Sequence, residues 1–327
     1  MRLLITGIRG FVGRHLAQRG STLGWEIQGT SRLPAPPIPL FNGQQAKLGS
    51  WAPESCFGPD LILKEFQPDA VVHLAAESFA GANGLGSDSL WKANFDGTRA
   101  LLDSVLHHAP KTLVVFGGTG LVYGAPLFAG AKSKESDPLC PPNAYAASKS
   151  CADLLCQLAF SNAGLRVIRA RPFNHIGPGQ SEKFAVSSFA RQFAAMKRGL
   201  MEPILRTGNL GSFRDFTDVR DIVRGYTDLI QNGEPGEAYN MGSGVATSMD
   251  SVVNHLCEMS GLRPEIIADP SLFRRSDPLV LLADSEKIQS RTGWVPKYDM
   301  VSTIRDLWTD WMTRSETELI TPVTINR

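Results

Sequence analysis

Apolar residues along this chain come in short unbroken runs, separated by longer stretches in which they recur every three or four positions. Leu3-Leu4-Ile5-Thr6 is the first run, Trp25 to Gly29 the second, Ala70-Val71-Val72-His73-Leu74-Ala75-Ala76 the third, Leu113-Val114-Val115-Phe116 the fourth and Arg166 to Ala170 the fifth. Continuous apolar runs without polar alternation predict strands covered on both faces, as in a parallel sheet. Between them the period becomes helical: Leu16 lies within the first such stretch, Phe95, Leu101, Leu102, Val105 and Leu106 mark a helix inside Trp91 to His107, and another runs from Tyr145 to about Phe160. Strand and helix alternating in this way predict an α/β architecture around a doubly wound parallel sheet. Residues 33 to 60 hold Pro34, Pro36, Pro37, Pro39, Pro53 and Pro59 with no clear period, so a mostly irregular connection is expected there.

Composition narrows the class of partner. With 327 residues the chain is long enough for a large core or two coupled domains enclosing a cleft. Charged residues are 20% of the total, the net charge is +1 and no block of like charge occurs, which points away from nucleic acid and membrane surfaces toward a small molecule. The five cysteines, Cys56, Cys140, Cys151, Cys156 and Cys257, are irregularly spaced with no Cys-x-x-Cys pair, which argues for reduced thiols over a disulfide framework or a zinc site. Met1-Arg2 leads straight into the first strand, without an apolar signal region, so a cytoplasmic location is expected.

Three places carry candidate chemistry. The first strand ends in Gly7-Ile8-Arg9-Gly10-Phe11-Val12-Gly13, in which Gly7 permits a tight turn, Gly10 lets a pyrophosphate approach a helix N-terminus and Gly13 lets that helix pack on the sheet. The end of the second strand offers Thr30, Ser31 and Arg32 in place of an acid, which suits a 2′-phosphate, and Arg9 in the glycine loop is in reach of the same group; otherwise the two arginines are solvated surface. In Asn143-Ala-Tyr-Ala-Ala-Ser-Lys149 the alanines favour a helix that sets Tyr145 and Lys149 on one face, where an ammonium is expected to lower the phenol's pKa and make an acid/base couple. Alone, that pair is also compatible with an ordinary exposed helix. Thr119 follows the fourth strand at a carboxyl end of the sheet, and His73 reads as structural rather than as a base.

Taken together, the glycine loop, His73-Leu74-Ala75-Ala76, Asn94 with Gly97-Thr98, Thr119 before Val122-Tyr123-Gly124, Tyr145 with Lys149, and Arg171-Pro172 resemble the extended short-chain dehydrogenase/reductases that act on nucleotide sugars. The segments Arg171-Pro172-Phe173-Asn174-His175-Ile176-Gly177-Pro178-Gly179-Gln180 and Arg214-Asp215-Phe216-Thr217-Asp218-Val219 resemble the bacterial GDP-4-dehydro-6-deoxy-D-mannose reductases within that family. The likeness covers nearly the whole chain. It implies a Rossmann sheet domain over 1–172, with a returning segment at about 216–242, and a smaller α/β substrate domain over 173–215 and 243–327. It implies NADP(H) held by Gly7, Arg9, Gly10, Phe11, Val12, Gly13, Thr30, Ser31, Arg32, Leu74, Ala75, Ala76, Asn94, Tyr145, Lys149 and Pro172, with Asn94 supporting Lys149 through water. Thr119, Tyr145 and Lys149 would be catalytic, and Thr119, Asn174, Arg214, Arg274 and Asp277 would hold a GDP-linked 4-keto-6-deoxy sugar.

The same resemblance admits two other reactions. A 4,6-dehydratase carries an acid two positions after its catalytic Ser/Thr, whereas Thr119 is followed by Gly120 and Leu121, which carry no proton. A 4-epimerase would retain NAD, against Thr30 to Arg32. The intact Thr119, Tyr145 and Lys149 set speaks against a mere nucleotide-binding module. A homodimer is expected, because Leu154, Leu155, Leu158 and Phe160 cover more than one helix face and family members pair through the Asn94 to His107 and Tyr145 to Phe160 helices.

Overall fold

The computed structural model describes residues 1–55, 57–77, 85, 87–125, 130–273 and 280–320. The five predicted strands lie within one eight-stranded sheet in the order Ala238–Met241, Arg166–Pro172, Leu113–Gly117, Ala70–His73, Arg2–Thr6, Glu26–Ser31, Gln45–Ser50 and Ile38–Pro39. Every neighbouring pair is parallel except the last. The chain order reverses on either side of Arg2–Thr6, which opens a crevice at the carboxyl ends of that strand and Ala70–His73.

Alternation within the apolar runs explains why both faces are covered. Leu3, Ile5, Val72 and Val115 pack beneath the helices Phe11–Thr22 and Val219–Asn232, while Leu4, Val71 and Val114 pack beneath Asp60–Phe66, Gly97–His108 and Ala144–Ala163. Each such side chain contributes on the order of 1.5–3 kcal/mol of burial.

A separate apolar cluster joins the helices Ala185–Lys197, Met249–Ser260 and Met300–Thr313, with Trp311 fully buried among them. Beside it lies a three-stranded sheet, Ala246–Ser248, Phe213–Asp218 and Asn174–Ile176. The strand Arg166–Pro172 therefore runs out of the large sheet and, two residues on, into the small one.

Residues 33 to 60 correct the expectation of an irregular connection. Gln45–Ser50 pairs in parallel register with Glu26–Ser31 and antiparallel with Ile38–Pro39. An edge strand needs apolar residues only on the face it buries; Ala46 and Leu48 supply them, while Gln45 and Lys47 point the other way. Two alternate apolar positions among prolines are too few to register as a period. The strand Glu26–Ser31 also runs two residues beyond its expected end, so Thr30 and Ser31 lie within it.

Candidate active site

The helix Ala144–Ala163 starts where its cap dictates. The Asn143 side chain accepts from the amide of Ala146, 2.9 Å away, which places Tyr145 in the first turn and Lys149 one turn further on. Thr119 follows the strand Leu113–Gly117 two residues on, and its hydroxyl accepts from the amide of Leu121 at 3.2 Å. The Tyr145 phenol faces the Thr119 hydroxyl, so the sheet's carboxyl edge and the helix's first turn bring two hydroxyls together.

Burial sets the protonation of this pair. The Tyr145 phenol is pushed up to about 12 by burial, with the Thr119 hydroxyl acting in the opposite sense. This corrects the expectation that Lys149 would lower it. The Lys149 ammonium is itself depressed to about 8 by burial, opposed by Cys156 and Asp153, and it lies 4.3 Å from the centre of the Phe116 ring. The ammonium packs against the strand beneath it rather than against the phenol. The result at neutral pH is a protonated tyrosine and a charged lysine one turn apart.

The glycine loop forms the adjoining wall. Gly7 has φ +71°, and a Cβ there would lie 2.9 Å from the Ala75 nitrogen, so only glycine lets the first strand turn this close to Leu74 and Ala75. A Cβ on Gly13 would lie 2.4 Å from the Gly7 carbonyl, the close helix-to-strand packing expected of it. The helix Phe11–Thr22 begins at Gly10 without a side-chain cap, with no acid in its first turn and with Gly10 exposed. Uncapped helix amides behind a bare backbone fit a dinucleotide pyrophosphate. Leu74 and Ala75 are fixed through their amides, both of which donate to the Thr6 hydroxyl at 3.1 Å. His73 is structural as expected: its two ring nitrogens bond Thr6 at 2.7 Å and Thr98 at 3.1 Å, and burial drives its pKa down to about 3.

Asn94 falls in a π-helical turn, Lys92–Asp96, between two α-helical segments. Its side-chain amide is committed to the Glu77 backbone, at 2.8 and 3.1 Å, and to the Ser148 hydroxyl at 3.0 Å. It therefore bonds the residue before Lys149 directly.

Thr30 and Ser31 end the strand beside the glycine loop, and the Gly7 amide donates to the Thr30 hydroxyl at 3.4 Å. Arg32 and Arg9 are exposed, with Arg32 held 3.0 Å from the Glu54 carboxylate. Pro172 closes the strand Arg166–Pro172. Asn174 and Arg214 stand on adjacent strands of the small sheet, Asn174 opposite Phe216 and two positions along from Arg214. Arg274 and Asp277 lie outside the described residues. Cys140, Cys151, Cys156 and Cys257 are free thiols, and Cys56 also lies outside the described residues.

Two features escaped sequence reasoning. Asp153, four residues past Lys149 on the same helix face, is fully buried and takes Arg171 at 2.9 Å through both carboxylate oxygens and Arg169 at 3.1 Å. Its spacing from Lys149 was the available signal. Phe11 stacks on His175 with centroids 6.0 Å apart, and His15 bonds the Pro178 carbonyl at 2.8 Å, tying the glycine-loop helix to the segment that carries Asn174. Nothing in local sequence marks a contact over that separation.

Residues 3–242 match the NAD dependent epimerase/dehydratase family. A GDP-6-deoxy-D-mannose reductase of Pseudomonas aeruginosa is 32% identical over 97% of this chain and 99% of its own length. A GDP-mannose 4,6-dehydratase of Vibrio cholerae is 25% identical over 93% of this chain and 91% of its own. Among solved structures, RMD from Pseudomonas aeruginosa complexed with NADPH superposes with a TM-score of 0.81 at 30% identity, over 96% of this chain and 99% of that one.

Proposed function

The chain belongs to the NAD-dependent epimerase/dehydratase family, and we propose that it is an NADPH-dependent reductase acting on the 4-keto group of GDP-4-dehydro-6-deoxy-D-mannose, with GDP-D-rhamnose as product. The observation that carries this reading is the composition of the crest: the Thr119 and Tyr145 hydroxyls face each other, while the two positions after Thr119, Gly120 and Leu121, carry no acid or base. Leu121 packs against the apolar cluster of Val122, Phe173 and Leu281. A ketone reduction needs one proton donor, whereas elimination of water from a hexose needs a further acid or base.

The cofactor supplies the hydride. Tyr145, protonated at neutral pH, gives its proton to the carbonyl oxygen, and Thr119 donates to the charge developing there. Lys149 would hold the nicotinamide ribose side, with Asn94 supporting it through the neighbouring Ser148 and Leu74, Ala75, Ala76 and Pro172 lining it. Gly7, Gly10, Phe11, Val12 and Gly13 take the pyrophosphate, and Thr30, Ser31, Arg32 and Arg9 take the 2′-phosphate. On the substrate side, Arg214 grips the diphosphate, Asn174 donates to a phosphate near the pyranose, and Arg274 and Asp277 hold the GDP ribose and phosphate. In this reading the sheet domain spans 1–172 and about 216–242, the remainder forms the nucleotide-sugar domain, and the enzyme is cytoplasmic.

Incubation with NADPH and GDP-4-dehydro-6-deoxymannose, followed by NMR of the sugar, is the direct test; a reduced C4 in the rhamno configuration is expected. Loss of water from GDP-mannose in the presence of NADP, seen by mass spectrometry, would replace the reductase with a dehydratase. Arg32→Ala should weaken NADPH by about 1.5–3 kcal/mol, the scale of a hydrogen bond to a charged group, and leave NADH binding unchanged. Leu106, Leu154, Leu158 and Phe160 are exposed on the two neighbouring helices, which fits a homodimer through that face; a monomer by light scattering at micromolar concentration would remove the dimer.

A further inference from the structure

Tyr226 sits on the helix Val219–Asn232, which covers the sheet face opposite the helix of Tyr145 and Lys149. Only 2% of it is exposed. The other two buried tyrosines have partners for their hydroxyls: Tyr123 donates to Asn240 at 2.7 Å and accepts from Arg171 at 2.7 Å, and Tyr239 accepts from the Glu234 amide at 3.1 Å. The Tyr226 hydroxyl has no hydrogen-bond partner among the described residues. The ring is buried but its oxygen is not sealed from solvent, so the hydroxyl is placed to take a partner from outside the chain.

Its position says which partner. The hydroxyl lies 3.1 Å from the point where a Cβ on Gly117 would stand, and that same point is 2.9 Å from Leu74 Cδ2 and 3.0 Å from the His73 carbonyl. Any residue but glycine at 117 would displace the phenol. Gly117 ends one strand and His73 the next, so the hydroxyl emerges at the carboxyl ends of two adjacent strands. Tyr145 is among the groups that perturb Tyr226, which puts both phenols in one neighbourhood. The glycine loop and the end of Glu26–Ser31 account for the pyrophosphate and the adenosine. A nicotinamide half would then extend over Ala70–His73 and Leu113–Gly117, on the far side of the loop.

We propose that the Tyr226 hydroxyl hydrogen-bonds a polar group of the nicotinamide nucleoside, making Tyr226 a cofactor contact delivered from the sheet face opposite Tyr145 and Lys149. The inference rests on the reading that this chain binds NADPH. Tyr226→Phe removes the hydroxyl and keeps the ring, so the melting temperature should hold. The variant should bind NADPH about threefold to tenfold more weakly, the range of one neutral hydrogen bond, while adenosine 2′,5′-bisphosphate, which lacks the nicotinamide half, binds as to wild type. Unchanged NADPH affinity, or equal losses for both ligands, would overturn the contact. If the Phe variant does not fold, Tyr226→Leu is put through the same two titrations, and a loss confined to NADPH supports the contact while any other result overturns it. Wild-type protein that fails to bind NADPH would sink the cofactor reading itself, a result distinct from a variant that binds it as well as wild type.

Discussion

Two stretches of one helix, a turn apart, treat buried polar groups in opposite ways. In the first turns of Ala144–Ala163, the Tyr145 phenol faces the Thr119 hydroxyl, and the Lys149 ammonium rests over the Phe116 ring. One turn later Asp153 is saturated by Arg169 and Arg171, and Arg171 passes the network on through Tyr123 to Asn240. The network is anchored at its far end as well, because the Asn240 side chain donates to the Ser133 carbonyl and its backbone amide donates to the Glu135 carboxylate. Where one carboxylate takes two guanidinium groups, the network fixes the strand Arg166–Pro172 against the helix. Where partners are left sparse, burial drives the tyrosine up and the lysine down in pKa, and that imbalance is what proton chemistry uses. The saturated part of the helix thus holds the unsaturated part in place.

This contrast can be broken at either end. The largest effect is expected at Tyr145→Phe, which removes the proton donor: turnover should fall by about 10²–10⁴-fold with NADPH affinity and melting temperature nearly intact. Residual activity within about tenfold of wild type would end the tyrosine's role. Asp153→Ala should do the reverse. It leaves the buried Arg171 guanidinium and the half-buried Arg169 without their carboxylate, and a loss of about 3–5 kcal/mol in stability by chemical denaturation is expected. If stability holds and only turnover drops, Asp153 belongs to the chemistry and the contrast is misdrawn.

The third test sharpens the comparison through pH. Lys149 holds its proton less tightly in the folded chain, about 8 against 10.5 in the open chain. Between pH 8 and about 10 the unfolded state therefore binds more protons, so stability rises with pH across that window. Lys149→Met should flatten the rise by an amount on the order of 2 kcal/mol, read as the difference between the two stability profiles. Identical profiles would show that burial does not perturb this lysine.

Much of this arrangement was legible in the amino-acid order because it depends on short-range physics. The apolar runs specified five parallel strands, since a strand covered on both faces has no room for polar alternation. Gly7 and Gly13 announced themselves by spacing, and four-residue separation was enough to put Tyr145 and Lys149 on one helix face. Only the tertiary structure decided what those two residues do to their protons. An ammonium near a phenol lowers its pKa in open water, but burial and the direction of the Lys149 side chain, toward Phe116, reversed the expected sign. The edge strand Gln45–Ser50, the Arg32 pairing with Glu54, the stacking of Phe11 on His175 and the approach of Tyr226 to Gly117 were likewise beyond reach. Each joins residues whose separation along the chain leaves no periodic trace, and desolvation is a property of everything packed around a group rather than of its neighbours in sequence.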